Sequence, residues 1–218
     1  MAEKETENKQ ENSGRKLTKD EVERKKRFEE LSAELTGKGY KIKNLTITPG
    51  MANVLGTAIG FGAASPFFLI YLLTGSDHNN DNSFAVFLVF FVLFLVSIVV
   101  HELLHGTGWG LFAENHFKSI AFGVVWSALM PYCTCKVALK KGQYIVGLLL
   151  PCIVLGIIPS VIACIIGNFM LLCYGGFMTI CAGGDLLVFV LILKAKLKGD
   201  VLLLDHPTDV GLVAFVRE

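Results

Sequence analysis

The apolar positions of the 218-residue chain fall into long blocks divided by short polar interruptions. Residues 51–73 are uncharged and mostly apolar. As a helix rising about 1.5 Å per residue, they reach across a hydrocarbon core about 30 Å thick. Residues 74–82 are polar and rich in Asn and Asp, the composition of a loop leaving a membrane. A second apolar block starts at residue 83 and runs into His101-Glu102-Leu103-Leu104-His105, with a weaker pattern continuing to residue 113. Residues 142–184 carry no charge. One helix of that length would extend about 65 Å, twice what a bilayer needs, so the run must fold back. Gly167-Asn168 is the best turn, giving spans at residues 143–166 and 169–193.

Between the second and third spans the period changes. Ile120, Phe122, Val124 and Trp126 alternate on one side, and Tyr132, Thr134, Lys136 and Ala138 alternate beyond Met130-Pro131. A period of two around a proline predicts an amphipathic β-hairpin over residues 117–139, with a re-entrant helix as the alternative, because short apolar runs fit both. The tail predicts a small strand pair, residues 201–204 and 213–216, around a turn at His206-Pro207. In the head, Thr18 with Glu21 fits a capping box and Leu17 with Val22 a hydrophobic staple, so a helix is expected over residues 19–35. Its interleaved Lys and Glu read as a solvated face on a soluble appendage. The expected fold is an all-α membrane protein with four transmembrane helices, a short β-hairpin or re-entrant segment and a small C-terminal strand pair. Its expected organisation is a charged head (1–44), a membrane domain (45–193) and a tail (194–218).

Composition agrees with that class. Apolar residues make up 53% and charged residues 18%, against about 45–50% and about 25% in soluble domains. A simple water-soluble globule and global disorder are both excluded. A net charge of +1, with no long basic patch interleaved with aromatics, argues against a nucleic-acid partner. The head has no apolar run followed by a small-residue cleavage site, so insertion is expected to use internal spans. With four spans, the 20 Lys and Arg divide into 12 in the head, 4 in the hairpin segment and 4 in the tail, and none in the opposite loops. The positive-inside rule then makes the shared side, with both termini, cytoplasmic. The 6 cysteines lie in spans or on that side, where no disulfide framework is expected. Cys133 and Cys135 lack a second pair and read as small packing side chains rather than a zinc site.

Inside the spans the ionisable groups are His101, Glu102, His105 and Asp185, with Glu114 at the edge of the second span. Burying a charge at mid-membrane costs about 3 kcal/mol, so such groups are functional candidates. His101 and His105 share a helix face, and two imidazoles so placed can reach one metal. Glu102 sits one residue round, where it can take a proton from metal-activated water, the division of labour in HExxH zinc hydrolases. The alternative is a pair of histidines bonded to main-chain carbonyls, which leaves three adjacent ionisable groups without a use. For a third ligand, the metzincin extension fits Gly108 but meets Leu111 where it needs a histidine. His116 would lie about 16 Å along the helix from His105. Glu114 would point to the opposite face. Asp185 remains, at a depth in the fourth span matching that of His105 in the second, about 12 Å from the cytoplasmic ends. The preceding Gly183-Gly184 read either as room for backbone or metal to approach or as small-residue helix packing. His206 in the tail is the rival ligand, its other reading being a simple turn.

An HExxH late in a span, an amphipathic segment after it and Ala182-Gly183-Gly184-Asp185 in a later span resemble the zincin peptidase family of small bacterial membrane proteins, over residues 45–216. More distantly, the chain is similar to site-2 intramembrane metalloproteases, in which an aspartate on a later span completes the zinc site. The resemblance implies Zn2+ on His101, His105 and Asp185, Glu102 as catalytic base, and a multi-pass place in the bacterial cytoplasmic membrane. It departs at the third ligand, where Gly183-Gly184 and Leu186 flank Asp185 in place of the Asn-Pro-Asp-Gly type sequence of many site-2 proteases. The expected function is a membrane-embedded zinc metalloprotease, its partners the lipid bilayer and a membrane or membrane-proximal polypeptide. Residues 117–139 would extend the substrate by strand addition or simply cover the site. The competing expectation is a catalytically inactive metalloprotease-like adaptor, against which stands Glu102, a residue not needed to hold metal. Metal transport would need polar groups through the whole bilayer thickness, which the spans do not supply.

Overall fold

The computed structural model describes residues 19–74, 84–125 and 130–218. Leu17, Thr18, the loop after residue 74 and Trp126 lie outside the described residues. In chain order the elements are α1 (Lys19–Gly37), β1 (Lys41–Ile47), α2 (Pro49–Thr74), α3 (Phe84–Gly110), β2 (Ile120–Val125), β3 (Met130–Cys135), β4 (Leu139–Lys140), α4 (Lys141–Pro151), α5 (Ile158–Ile166), α6 (Phe169–Cys181), α7 (Gly183–Lys194), β5 (Asp200–Asp205) and β6 (Val210–Arg217). A single 3-10 turn, His116–Ser119, precedes β2.

Helices dominate. α2 and α3 are long and apolar enough to cross a membrane, and Leu, Val and Phe side chains remain exposed along both. Helices with no polar face suit a lipid surrounding. The run Lys141–Ile166 also qualifies, while α6 and α7 count as a fourth span only as a pair, because they meet at 50°. The straight fourth span expected from hydropathy is therefore broken at Ala182. The run Lys141–Ile166 carries a wide π turn at Cys152–Ile157. Pro159 has no N–H for the Leu155 carbonyl, which disrupts the regular ladder there. The turn at Gly167-Asn168 forms as expected: Gly167 takes a left-handed conformation at φ 67°, and the Asn168 side chain accepts the Leu171 N–H at 2.9 Å.

Outside the helices, four strands form an antiparallel sheet in the order β1-β6-β5-β4. The tail pair appears as expected, with Val201 opposite Val216. The sheet also takes in β1, which the hydropathy pattern does not predict, with Leu45 opposite Leu212. β1 leads into α2, β4 into α4, and β5 follows α7, so the sheet gathers the beginnings of α2 and α4 and the end of α7 on one side. The head helix corrects the expectation of a solvated appendage. Its Phe28, Leu31 and Leu35 pack with Tyr40, Leu204, Val213 and Phe215. Charges dominate α1, but these three apolar positions at i, i+3 and i+7 make a narrow stripe that buries against the sheet. The segment expected as hairpin or re-entrant helix is a hairpin: β2 pairs antiparallel with β3, Phe122 opposite Cys133 and Gly123 opposite Tyr132.

Three glycine contacts set the helix spacing. A Cβ on Gly60 of α2 would lie 2.7 Å from the Ile180 carbonyl oxygen, and one on Gly183 would collide with the Gly56 carbonyl. A Cβ on Gly108 of α3 would lie 2.6 Å from the Gly147 Cα on α4. Small-residue packing thus accounts for Gly183, whereas Gly184 has open space beside it. Main-chain atoms cannot rotate away, so Gly60→Ala is expected to destabilise the protein by about 1–3 kcal/mol. Gly62→Ala, with nothing within 4 Å of its Cβ, should hold or raise stability through helix propensity. Thermal unfolding in detergent micelles checks the opposite signs.

Candidate metal centre

α3 presents His101 and His105 one turn apart, and the bend at Ala182 brings Asp185 to meet them from the first turn of α7. The helix N-terminus favours a carboxylate there. His101 Nε2 lies 3.2 Å from Asp185 Oδ2 and His105 Nε2 3.4 Å from Asp185 Oδ1. The two Nε2 atoms are 3.2 Å apart. One donor atom from each of the three residues falls within 4.8 Å of the others. Around a tetrahedral zinc with ligands at about 2.0–2.1 Å, neighbouring donors are separated by about 3.3 Å. Each histidine approaches that spacing to a different oxygen of Asp185, and two imidazoles with one carboxylate make a zinc donor set with a position left over.

The histidine tautomer is set from outside the cluster. His105 Nδ1 donates to the Gly147 carbonyl at 2.9 Å, which leaves Nε2 as the lone-pair atom facing His101 and Asp185. The imidazole also stacks on Trp109, centroids 5.1 Å apart and planes 16° from parallel. Trp109 Nε1 in turn donates to the Tyr144 carbonyl at 2.9 Å. Side chains of His101, His105 and Asp185 are 14%, 6% and 21% exposed, a cluster largely withdrawn from solvent. Sequence reasoning missed Trp109, Tyr144 and the Gly147 carbonyl. Trp109 stands four residues after His105, a spacing that marks a helical neighbour, but nothing in the sequence announces a main-chain acceptor on a different helix.

Glu102 is half-buried on the same turn, beside the main-chain N–H of Cys133. Lys136 N–H donates to the Ser119 carbonyl at 2.7 Å. By the alternation of an antiparallel ladder, the even-numbered residues of β3 therefore bond to β2, and Cys133 and Cys135 turn their main-chain groups to the free edge. Pro131 occupies an outward position, where its missing N–H costs the ladder nothing. Cys135 N–H donates to Asp205 Oδ2 at 3.4 Å, Thr134 Oγ1 donates to the same oxygen at 2.8 Å, and the Tyr144 hydroxyl donates to Oδ1. Asp205 thereby ties the hairpin to β5 and α4. Its burial raises the carboxyl above the usual carboxylate range.

The other sequence candidates stay apart from this cluster. Glu114 is exposed, and His116 bonds the Gly110 carbonyl through Nδ1 at 3.2 Å. His206 caps its own turn, its Nδ1 accepting the Asp209 N–H at 2.8 Å, and its ring lies against Phe28. Burial pushes the Cys135 thiol up to about 11 and raises that of Cys133 as well.

Comparison with curated proteins and with solved structures finds no match. A family model does match, over residues 94–198, a narrower stretch than the sequence resemblance had suggested. It takes in both histidines, Glu102, the hairpin and Asp185, and over that segment the chain matches the family described as Putative zincin peptidase.

Proposed function

We propose that the protein is a membrane-embedded zinc metallopeptidase with His101, His105 and Asp185 as ligands and Glu102 as general base. The observation that carries this reading is the convergence of the Asp185 carboxylate and two imidazole nitrogens within 4.8 Å, with the Glu102 carboxyl on the same helical turn as the histidines. Zinc bound there supplies Lewis acidity, acidifying water and polarising a carbonyl. Glu102 accepts the proton of the attacking water as the new C–O bond forms. It then delivers that proton to the amine nitrogen as the C–N bond breaks. His105, fixed by the Gly147 carbonyl and Trp109, keeps its donor atom aimed while charge develops.

Geometry also supports a polypeptide substrate. A peptide bond inside a helix has its carbonyl occupied, so the substrate must be extended first. β3 lays the edge away from β2 along the turn that carries Glu102, and an extended segment whose N–H groups meet the Cys133 carbonyl would be held beside it. The exposed apolar surface of α2 and α3 favours a bilayer setting, and the gathered helix ends agree with all basic segments lying on the cytoplasmic side. The substrate is then a membrane or membrane-proximal polypeptide, and the setting a bacterial cytoplasmic membrane. The site-2 protease arrangement of an HExxH completed by a later aspartate has the same logic.

Elemental analysis of detergent-purified protein should give about one zinc per chain, lost in a His101→Ala/His105→Ala variant and weakened in Asp185→Ala. A zinc-free native protein after zinc supplementation would favour the adaptor reading. Glu102→Gln should keep the metal and lower peptide hydrolysis by about 10²–10⁴-fold, measured on a membrane-protein substrate pool by mass spectrometry of new termini. Gly147→Ala should push Trp109, whose indole lies against that position, and weaken zinc affinity by about tenfold without touching a ligand. Competition with a chromogenic chelator measures it.

A further inference from the structure

A cleft of about 550 Å³ lies between α1, the hairpin and the β5–β6 turn, bordered by all five residues 132–136. Side chains alternate between the faces of a strand, so a run of consecutive residues along a cleft means that β3 offers its edge as well as a face. The Cys133 and Cys135 carbonyls are among the groups turned outward on that edge.

The charges around the cleft are unequally committed. Arg27 pairs with Glu23 at 2.7 Å, and His206 Nδ1 accepts the main-chain N–H of Asp209 at 2.8 Å. Asp205 accepts from Tyr144, Thr134 and Cys135. Lys136 Nζ donates to the Lys118 carbonyl at 3.2 Å. Arg24 differs. Its guanidinium lies over the Tyr132 ring, 4.7 Å from the centroid. Its Nε atom is buried with no hydrogen-bond partner, and among the described residues no carboxylate pairs with it. A guanidinium fork held against an aromatic face is pre-organised for a planar carboxylate.

We infer that this cleft binds an extended acidic polypeptide segment, with an Asp or Glu side chain on Arg24 and main-chain N–H groups on the outward carbonyls of β3. The inference rests on the peptidase reading for the identity of the ligand, the flank of a substrate whose scissile bond lies beyond β3 at Glu102. A phosphate head group would use the cations alone. It has no N–H groups to meet a strand edge, so the edge favours a peptide.

Fluorescence anisotropy on the full chain in detergent, in the native and Glu102→Gln forms, with labelled alternating Val-Glu, Val-Gln and Val-Lys octapeptides as probes, tests this. Val-Glu should bind at least about tenfold tighter than the other two. Arg24→Glu should reverse the order in favour of Val-Lys, a swap that misfolding cannot produce. Equal binding of the three probes, or an order unchanged in Arg24→Glu, overturns the inference. So does phosphatidylglycerol, added in mixed micelles, binding through Arg24 while no peptide does. Zinc content of the same samples separates the two proposals. Zinc without a Val-Glu preference sinks the cleft alone, and the preference without zinc sinks the peptidase reading alone.

Discussion

The close approach of α2 to the bend between α6 and α7 is the contact on which the site depends. Gly60 lies against the Ile180 main chain and Gly183 against that of Gly56, at separations that admit no Cβ. The bend they permit starts α7 two residues before Asp185 and swings that carboxylate out of line with α6 towards α3. A second contact, Gly108 against Gly147, sets α3 against α4 on the other side. Three ligands must hold their geometry to about 0.5 Å to act as one site. Main-chain contacts of this kind, with no side chain to rearrange, supply such precision.

The same contacts serve the electrostatics. Two imidazoles and a carboxylate gathered in an apolar bundle would be a cost if each lacked a partner. Asp185 has a helix N-terminus behind it and His105 has the Gly147 carbonyl, so their remaining donor atoms converge on one point. Glu102 stands aside from the three and faces the hairpin instead.

The sheet connects this centre to the rest of the chain. It draws together the beginnings of α2 and α4 and the end of α7, and its Asp205 reaches the hairpin and Tyr144. Tyr144 leads back through its carbonyl to Trp109 and the ring of His105. Polar partners at the edge of the apolar bundle thus fix both the imidazole of His105 and the strand beside Glu102. α1, docked on the sheet, adds the outer wall of the cleft.

Local chemistry was readable along the chain. The spacing of His101, Glu102 and His105 follows from helical period alone, and residues 142–184 had to turn because a charge-free helix of that length exceeds any bilayer. The period of two around Pro131 fitted a hairpin or a re-entrant helix, and the Gly167-Asn168 turn needed only the left-handed freedom of glycine. Asp185 was reached by elimination and depth, since helix-to-helix distance is not written in any one segment. Tertiary structure alone decided the bend at Ala182, because α2 must be present to press on Gly183. It alone decided that α1 docks and that β1 joins the tail, because a three-residue apolar stripe and a short strand become stable only when a partner surface buries them. The tautomer of His105 depends on a carbonyl forty-two residues away. Sequence determines which groups exist and how they repeat; which of them meet depends on how closely main chains can approach, and that is settled between helices rather than within them.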